Sequence, residues 1–257
     1  MAMSIADDAQ KYLPMANPLI LKLQQCCRLN QQDHDRLEEI CLRTVTVAAR
    51  EDIISEGAVP RDVHLVLDGF ACRYKILPGG KRAIIAFLVP GDLCDLEVAI
   101  LDKMDHGIAT LTPCTIAKIP RTTIEELLAG HPNIAHALRW ATLVDEAVLR
   151  EWLANMGRRA SDRQLAHLLC ELRFRLAIVG MATLDSFRLP FTQEELADAL
   201  GITTVHVNRV LQQLRDGDLI RQHGREIHIP DLQKLEQFAE FNADYLHMNR
   251  PAKPRAH

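Results

Sequence analysis

Thr192-Gln193-Glu194-Glu195-Leu196-Ala197-Asp198-Ala199-Leu200-Gly201-Ile202-Thr203-Thr204-Val205-His206-Val207-Asn208-Arg209-Val210-Leu211 is the stretch on which the fold turns. Thr192 followed three residues later by Glu195 is a capping box and predicts a helix start. That helix turns Leu196, Ala197 and Leu200 inward, and Gly201 supplies a tight turn. Thr203 then caps a second helix, in which Val207, Val210, Leu211 and Leu214 recur at three- and four-residue spacing. The polar side of this second helix carries Thr204, His206, Asn208, Arg209, Gln212 and Arg215, with no carboxylate among them. A helix of about eight residues, a Gly-containing turn and a second helix make a helix-turn-helix pattern. Ala197 is small where the two helices would approach. Taken alone, the polar side could be ordinary solvated surface; its neighbours decide.

Downstream, two short strands about His223-Gly224-Arg225 read as a hairpin wing. Upstream, residues 180–190 read as a loop or short ribbon, and Ser161 as the N-cap of a helix carrying Leu165, Leu168, Leu169 and Leu172. Met156-Gly157-Arg158-Arg159-Ala160-Ser161 reads as a break or hinge. Capping box, Gly turn and wing in consecutive order predict a reading head for DNA.

Residues 45–120 have another character. Short apolar or alternating runs such as Val63-His64-Leu65-Val66-Leu67 and Ala83-Ile84-Ile85-Ala86-Phe87 are separated by Asp68-Gly69, Pro78-Gly79-Gly80 and Pro90-Gly91-Asp92. Short strands closed by Gly turns predict an antiparallel barrel or sandwich. Residues 1–42 read as helical. After Pro132 a long helix carries Ile134, Leu138, Ala141, Asp145, Val148 and Trp152 close to a 3.5-residue repeat. Asp145 interrupts this seam, which is expected to pack on a second chain as a dimer helix, the alternative being a helix lying across its own barrel.

Composition bounds the function. The chain has 257 residues, 48% hydrophobic and 25% charged, with formal net charge −4, so any basic surface must be local. Within residues 158–225 every basic side chain is an arginine, the type suited to bidentate contacts. No apolar run reaches a membrane span, and the acidic N-terminus lacks a signal-peptide pattern, so a cytoplasmic location is expected. Seven scattered cysteines fit reduced core thiols, with Cys72, Cys94 and Cys114 read as buried small hydrophobes. No nucleophile triad, P-loop, paired-carboxylate motif or metal-ligand cluster points to an enzyme.

On these residues the chain resembles the catabolite-activator / fumarate-nitrate regulator (CRP/FNR) family of bacterial transcription factors. The best local matches are Phe191-Thr192-Gln193-Glu194-Glu195-Leu196-Ala197, Asn208-Arg209-Val210-Leu211, Leu219-Ile220-Arg221-Gln222-His223-Gly224-Arg225 and, upstream, Pro90-Gly91-Asp92-Leu93. The resemblance implies an α+β fold: an N-terminal cyclic-nucleotide-binding-type β-roll, jelly-roll-like, a long dimerisation helix, and a C-terminal winged helix-turn-helix. The expected domains are a sensor over 1–130, the dimer helix over 131–157 and the winged helix over 158–250. The implied partners are double-stranded DNA, a second copy of the chain and RNA polymerase, with no membrane. An effector would act by turning the winged helices about residues 156–159.

The resemblance also assigns roles. Thr192 and Thr203, with Gln193, match positions where helix N-termini and hydroxyls hold phosphate. Arg209 matches the family's base-reading arginine, suited to guanine O6 and N7. His223 matches a wing residue near the backbone. Thr204 and Val205 replace the Arg-Glu pair of the activator branch, removing the acceptor for cytosine. Thr204 and Val205 can instead touch a thymine methyl, and Asn208 can pair with adenine. His206 completes the set. The expected site is a palindrome of the chain's own. The alternative is an effector-binding module whose winged helix contacts protein.

In nucleotide-binding members a cassette runs from Gly-Glu to an Arg-Ser pair that holds the cyclic phosphate. Here Gly91 and Asp92 open the segment, and its far end reads His106-Gly107. Without the Arg-Ser pair the phosphate lacks its fixed cation, which argues against cyclic AMP. Cys26, Cys27 and Cys41 lack the spacing of the family's iron-sulfur sensors, so no such cluster is expected. No metal site is expected, and the effector is left open.

Overall fold

A computed structural model describes residues 16–96, 100–101 and 103–248. Two short helices, α1 (Pro18–Leu23) and α2 (Gln31–Ile40), lead into seven strands: β1 (Thr44–Val47), β2 (Asp52–Ile54), β3 (Asp62–Asp68), β4 (Ala71–Ile76), β5 (Arg82–Leu88), β6 (Gly107–Thr110) and β7 (Cys114–Pro120). They form two antiparallel sheets, ordered β1-β7-β3 and β2-β6-β4-β5. Ile54, Val66, Leu88, Ile108 and Ile116 fill one core of this roll. The turns are glycine-dependent. Gly69 lies at φ +86 between β3 and β4, and a Cβ there would sit 2.3 Å from the Pro113 carbonyl oxygen.

Helix α3 (Arg121–Gly130) and the 27-residue α4 (Pro132–Arg158) follow. Beyond them come α5 (Ser161–Ile178), β8 (Ser186–Arg188), α6 (Gln193–Leu200), α7 (Thr204–Asp216), β9 (Arg221–His223), β10 (Glu226–His228) and α8 (Leu232–Phe238), with a short 3-10 turn at Ala243–Leu246. Strands β8, β10 and β9 make the third sheet, the wing. The expected β-roll, long helix and winged helix-turn-helix are all present. No described helix is long and apolar enough to cross a membrane.

The seam expected to meet a partner faces inward instead. Ile134, Leu138 and Ala141 are buried against Leu19, Leu23, Leu65 and Ile119 of their own chain. Val148 and Trp152 are buried with Phe87, Leu165, Leu169 and Phe191. The 3.5-residue repeat therefore records intramolecular packing. One helix face serves the roll with its first half and the winged helix with its second. Asp145, the interruption in the seam, accepts from Arg73 Nη2 at 3.1 Å. A different side of α4 is open: Leu149, Leu153 and Met156 are exposed, Leu153 by 74%.

The expected break falls within the stretch read for it, near its C-terminal end. Gly157 lies inside α4, and the chain breaks at Arg159-Ala160. Gln164 Nε2 donates to the carbonyls of Asn155, Met156 and Arg159 at 3.2, 3.4 and 2.9 Å, supplying partners at the helix end in addition to the Arg159 N–H on Asn155. Ser161 is the first residue of α5 and not its cap: the cap position is Ala160, with no side-chain bond.

Roll and winged helix share a core. The Phe87 ring of β5 stacks on Phe191, immediately before the capping box, with centroids 4.2 Å apart and planes 8° apart. Phe70 meets Phe191 edge-on at 5.5 Å. Arg82 Nε of β5 reaches Asp198 Oδ2 of α6 at 2.8 Å.

Candidate nucleic-acid interface

The start of α6 is built as its sequence requires. Thr192 Oγ1 accepts from Glu195 N at 3.2 Å, and Thr192 N donates to Glu195 Oε2 at 2.7 Å. Gly201 takes a left-handed conformation at φ 66, ending α6 with its N–H on the Ala197 carbonyl. Thr203 Oγ1 then caps α7 by accepting from His206 N at 3.3 Å. Each capping hydroxyl accepts with a lone pair there and retains its own proton as a donor.

Helix α7 buries Val207, Val210, Leu211 and Leu214 and turns the rest outward. Thr204, Val205, Asn208, Arg209 and Gln212 are exposed, Val205 by 79%. With Gln193, Gln213 and Asp216 they line a shallow open concavity between α6 and α7. An apolar residue so exposed beside polar and cationic ones suits contact with base edges and methyl groups. His223 is exposed on the wing beside Gly224, whose φ is 60. Arg215 links reading helix and wing, donating to Gln212 at 2.9 Å and to Gln222 at 3.2 Å. Thus Gln193, Thr203, Thr204, Val205, Asn208, Arg209 and the partly buried Thr192 lie together, with His223 one strand away.

His206 departs from this group. It is partly buried, and its Nε2 is hydrogen-bonded to Ser161 Oγ at 2.7 Å. Arg209 Nη2 lies 3.3 and 3.4 Å from its two ring nitrogens. Ser161 was legible only as a cap, because its partner lies 45 residues away in sequence.

The cassette residues have other occupations. Gly91, at φ +91, closes the β5 turn so tightly that a Cβ would sit 2.6 Å from the Pro18 carbonyl oxygen. Asp92 is buried; Oδ1 accepts from Lys22 Nζ at 2.7 Å, and Oδ2 from Arg175 Nη2 at 2.6 Å and Val89 N at 2.8 Å. Burial alone would raise its pKa, but Lys22 and then Arg175 outweigh it and hold it at about 2. Arg175 continues to Glu171 at 3.1 Å, and Glu171 also accepts from Trp152 Nε1 at 3.2 Å and Tyr245 OH at 2.9 Å. Nothing in the sequence signalled that Lys22, Arg73 or Arg175 would surround this segment.

At the far end, His106 Nδ1 pairs with Asp105 at 2.6 Å. A Cβ at Gly107 would lie 2.4 Å from the far end of the Tyr74 ring, so the position has no hydroxyl and a side chain there would have to displace that ring. Between cassette and α4, Arg73 donates to the Leu93 and Cys94 carbonyls and to Asp145, each at 3.1 Å. Among the described residues lining that space, with Lys22, Gly91 and Thr142, a void of only about 10 Å³ is left. Residues 97–99 and 102 of the segment lie outside the described residues. Cys72, Cys94 and Cys114 are buried, and burial raises the thiol of each.

Comparison with known proteins agrees with this architecture. Residues 163–238 match the Crp-like helix-turn-helix domain, and residues 44–131 the cyclic nucleotide-binding domain. The nitrogen fixation regulation protein FixK of Bradyrhizobium diazoefficiens is 28% identical over 184 residues, 71% of this chain and 76% of the relative. The transcriptional activator protein FnrL of Cereibacter sphaeroides is 26% identical over 223 residues, 85% of this chain and 89% of the relative. The solved structure of FixK2 from Bradyrhizobium japonicum shares the fold with a TM-score of 0.69 at 24% identity, covering 76% of this chain and 96% of that one. A reading helix delivered by a winged domain behind a cyclic-nucleotide-type roll defines a DNA-binding transcription regulator. The chain belongs to the CRP/FNR family of such regulators.

Proposed function

We propose that the chain works as a homodimer that reads a palindromic operator through two copies of α7, without cyclic AMP. The observation that carries this reading is the exposed side of α7, where Thr204, Val205, Asn208 and Arg209 project from a capped helix buried on its other side. Thr192, Gln193, Thr203 and His223 hold phosphates around it, and Arg209 reads a guanine. Two half-sites one helical turn apart suit a two-fold dimer. RNA polymerase is the protein partner such a dimer meets at a promoter, and no catalysis enters the reading. The relatives are themselves regulators.

The dimer contact is assigned to Leu149, Leu153 and Met156, which share one side of α4 at four- and three-residue spacing and are left uncovered by the single chain. Independence from cyclic AMP is supported by positive features. Arg73 already bridges the cassette loop to α4, the Tyr74 ring lies against the Gly107 position, and among the described residues about 10 Å³ remains. A nucleotide-sized site needs at least ~300 Å³.

Selection of bound duplexes from a random pool by the full-length protein, repeated across a salt series, tests the reading. Enrichment of an inverted repeat, with affinity falling steeply as salt rises, is the expected result. Enrichment of no repeat, with salt-independent binding, overturns it in favour of a winged helix that contacts protein.

A further inference from the structure

We propose that His206 does not itself contact DNA but positions Arg209, and that Ser161 holds His206 for that task. The inference rests on Arg209 being a base reader, and it adds two residues to the specificity machinery. One is new, and the other takes a different role from the direct contact expected of it.

A free arginine at the exposed side of a helix samples many rotamers, and ordering it on binding costs conformational entropy. Arg209 is not free in this sense. Its Nη2 is nearly equidistant, at 3.3 and 3.4 Å, from Nδ1 and Nε2 of His206. Nδ1 and Nε2 flank Cε1, so nearly equal distances place the guanidinium nitrogen against that end of the imidazole, not on one lone pair. The two residues are three apart on α7, the spacing at which helical side chains meet.

The imidazole is itself held from outside the helix. Ser161 Oγ lies 2.7 Å from His206 Nε2 and comes from the first residue of α5, a separate element. His206 N is also the backbone donor to the Thr203 cap, so backbone and ring are both fixed. The ring is partly buried, whereas Thr204, Val205, Asn208 and Arg209 around it are exposed. A side chain committed to a serine behind it is poorly placed to reach a groove in front. It is well placed as a fixed plate on which the arginine rests, which lowers the ordering cost and narrows the approach direction.

The test is a set of variants of the full-length protein: R209A, H206A, S161A and H206A/R209A. Each is measured against the selected duplex and against duplexes changed at single base pairs, with melting curves confirming the fold. R209A is expected to lose about five- to 150-fold preference at one base pair. H206A should relax the preference at that same base pair by about two- to tenfold, and S161A in the same direction by less. In the R209A background H206A should have no further effect, and the salt slope should match the parent protein. If H206A changes a different base pair, flattens the salt slope by about one phosphate contact, or adds fully to R209A, His206 touches DNA directly and the proposal is overturned. If R209A keeps full preference at every base pair, the base-reading assignment itself fails, and the positioning role with it. A uniform loss at all duplexes would show a merely structural role and also overturn it.

Discussion

Arg175 Nη2 lies 2.6 Å from Asp92 Oδ2, so the first helix of the winged domain is joined by a buried ion pair to the turn that opens the sensor cassette. Lys22 of α1 completes the site at 2.7 Å. Removing one member of a buried pair leaves the others uncompensated, which typically costs about 3–5 kcal/mol. D92L and R175M are each expected to lower stability by that order in urea titrations. The double variant should lose less than the sum, because the Asp92–Arg175 contact is lost only once, while Lys22 and Glu171 each still lose a partner. Additive losses would show that the pair is not coupled.

Acid should weaken the fold in two stages. His167 is buried against Phe241 and Tyr245, and burial, then the Arg159 charge, lowers its pKa from 6.5 to about 4. The folded form therefore resists protonation that the unfolded chain accepts, so this stability is complete above 6.5 and is lost as pH falls toward 4. Asp92, lowered from 3.8 to about 2, contributes above 3.8 and loses its share below it. Glu171, raised by burial, works in the opposite direction. Melting temperatures measured from pH 7 to 5 should fall for the parent protein and stay nearly flat for H167Q.

The open side of α4 gives a contrast between two kinds of variant. L149E/L153E is expected to sediment as a monomer at micromolar concentration with unchanged helical content, because both positions are exposed in the single chain. L138E should instead unfold the chain, since Leu138 lies in its core. A dimeric L149E/L153E protein would remove the assignment of the interface.

Restoring the Arg-Ser pair of the cassette should not restore its ligand. H106R/G107S places a Cβ against the Tyr74 ring, whose hydroxyl is fixed on Asp52 at 2.8 Å. Calorimetry with cyclic AMP should show no heat of binding, because Arg73 still bridges the cassette loop to α4. Tight binding would overturn the account of the filled cassette.

What was legible in the sequence was local. The strands and turns could be placed because alternation and glycine act over a few residues, as at Gly69 and Gly91. The α6-α7 pair could be placed because its caps are hydrogen bonds spanning three residues, Thr192 to Glu195 and Thr203 to His206. The facing of α4 could not be read, because Val148-Trp152 and Leu149-Leu153 both repeat at helical spacing. Periodicity does not say which stripe the chain covers itself. The ties that set the candidate site were equally silent: Asp92 to Arg175 spans 83 positions, and Arg73 to Asp145 spans 72.

The Asp92 tie also bears on modular engineering. The β-roll supplies the anion, while the countercharges come from α1 and from α5, on either side of it in sequence. Neither half is electrostatically finished when cut from the other. A chimera that grafts a foreign reading head after α4 inherits a sealed carboxylate and must bring its own cation at the position of Arg175. Exchanging operator preference is therefore simpler within α7, where the residues that face outward carry no part of that debt.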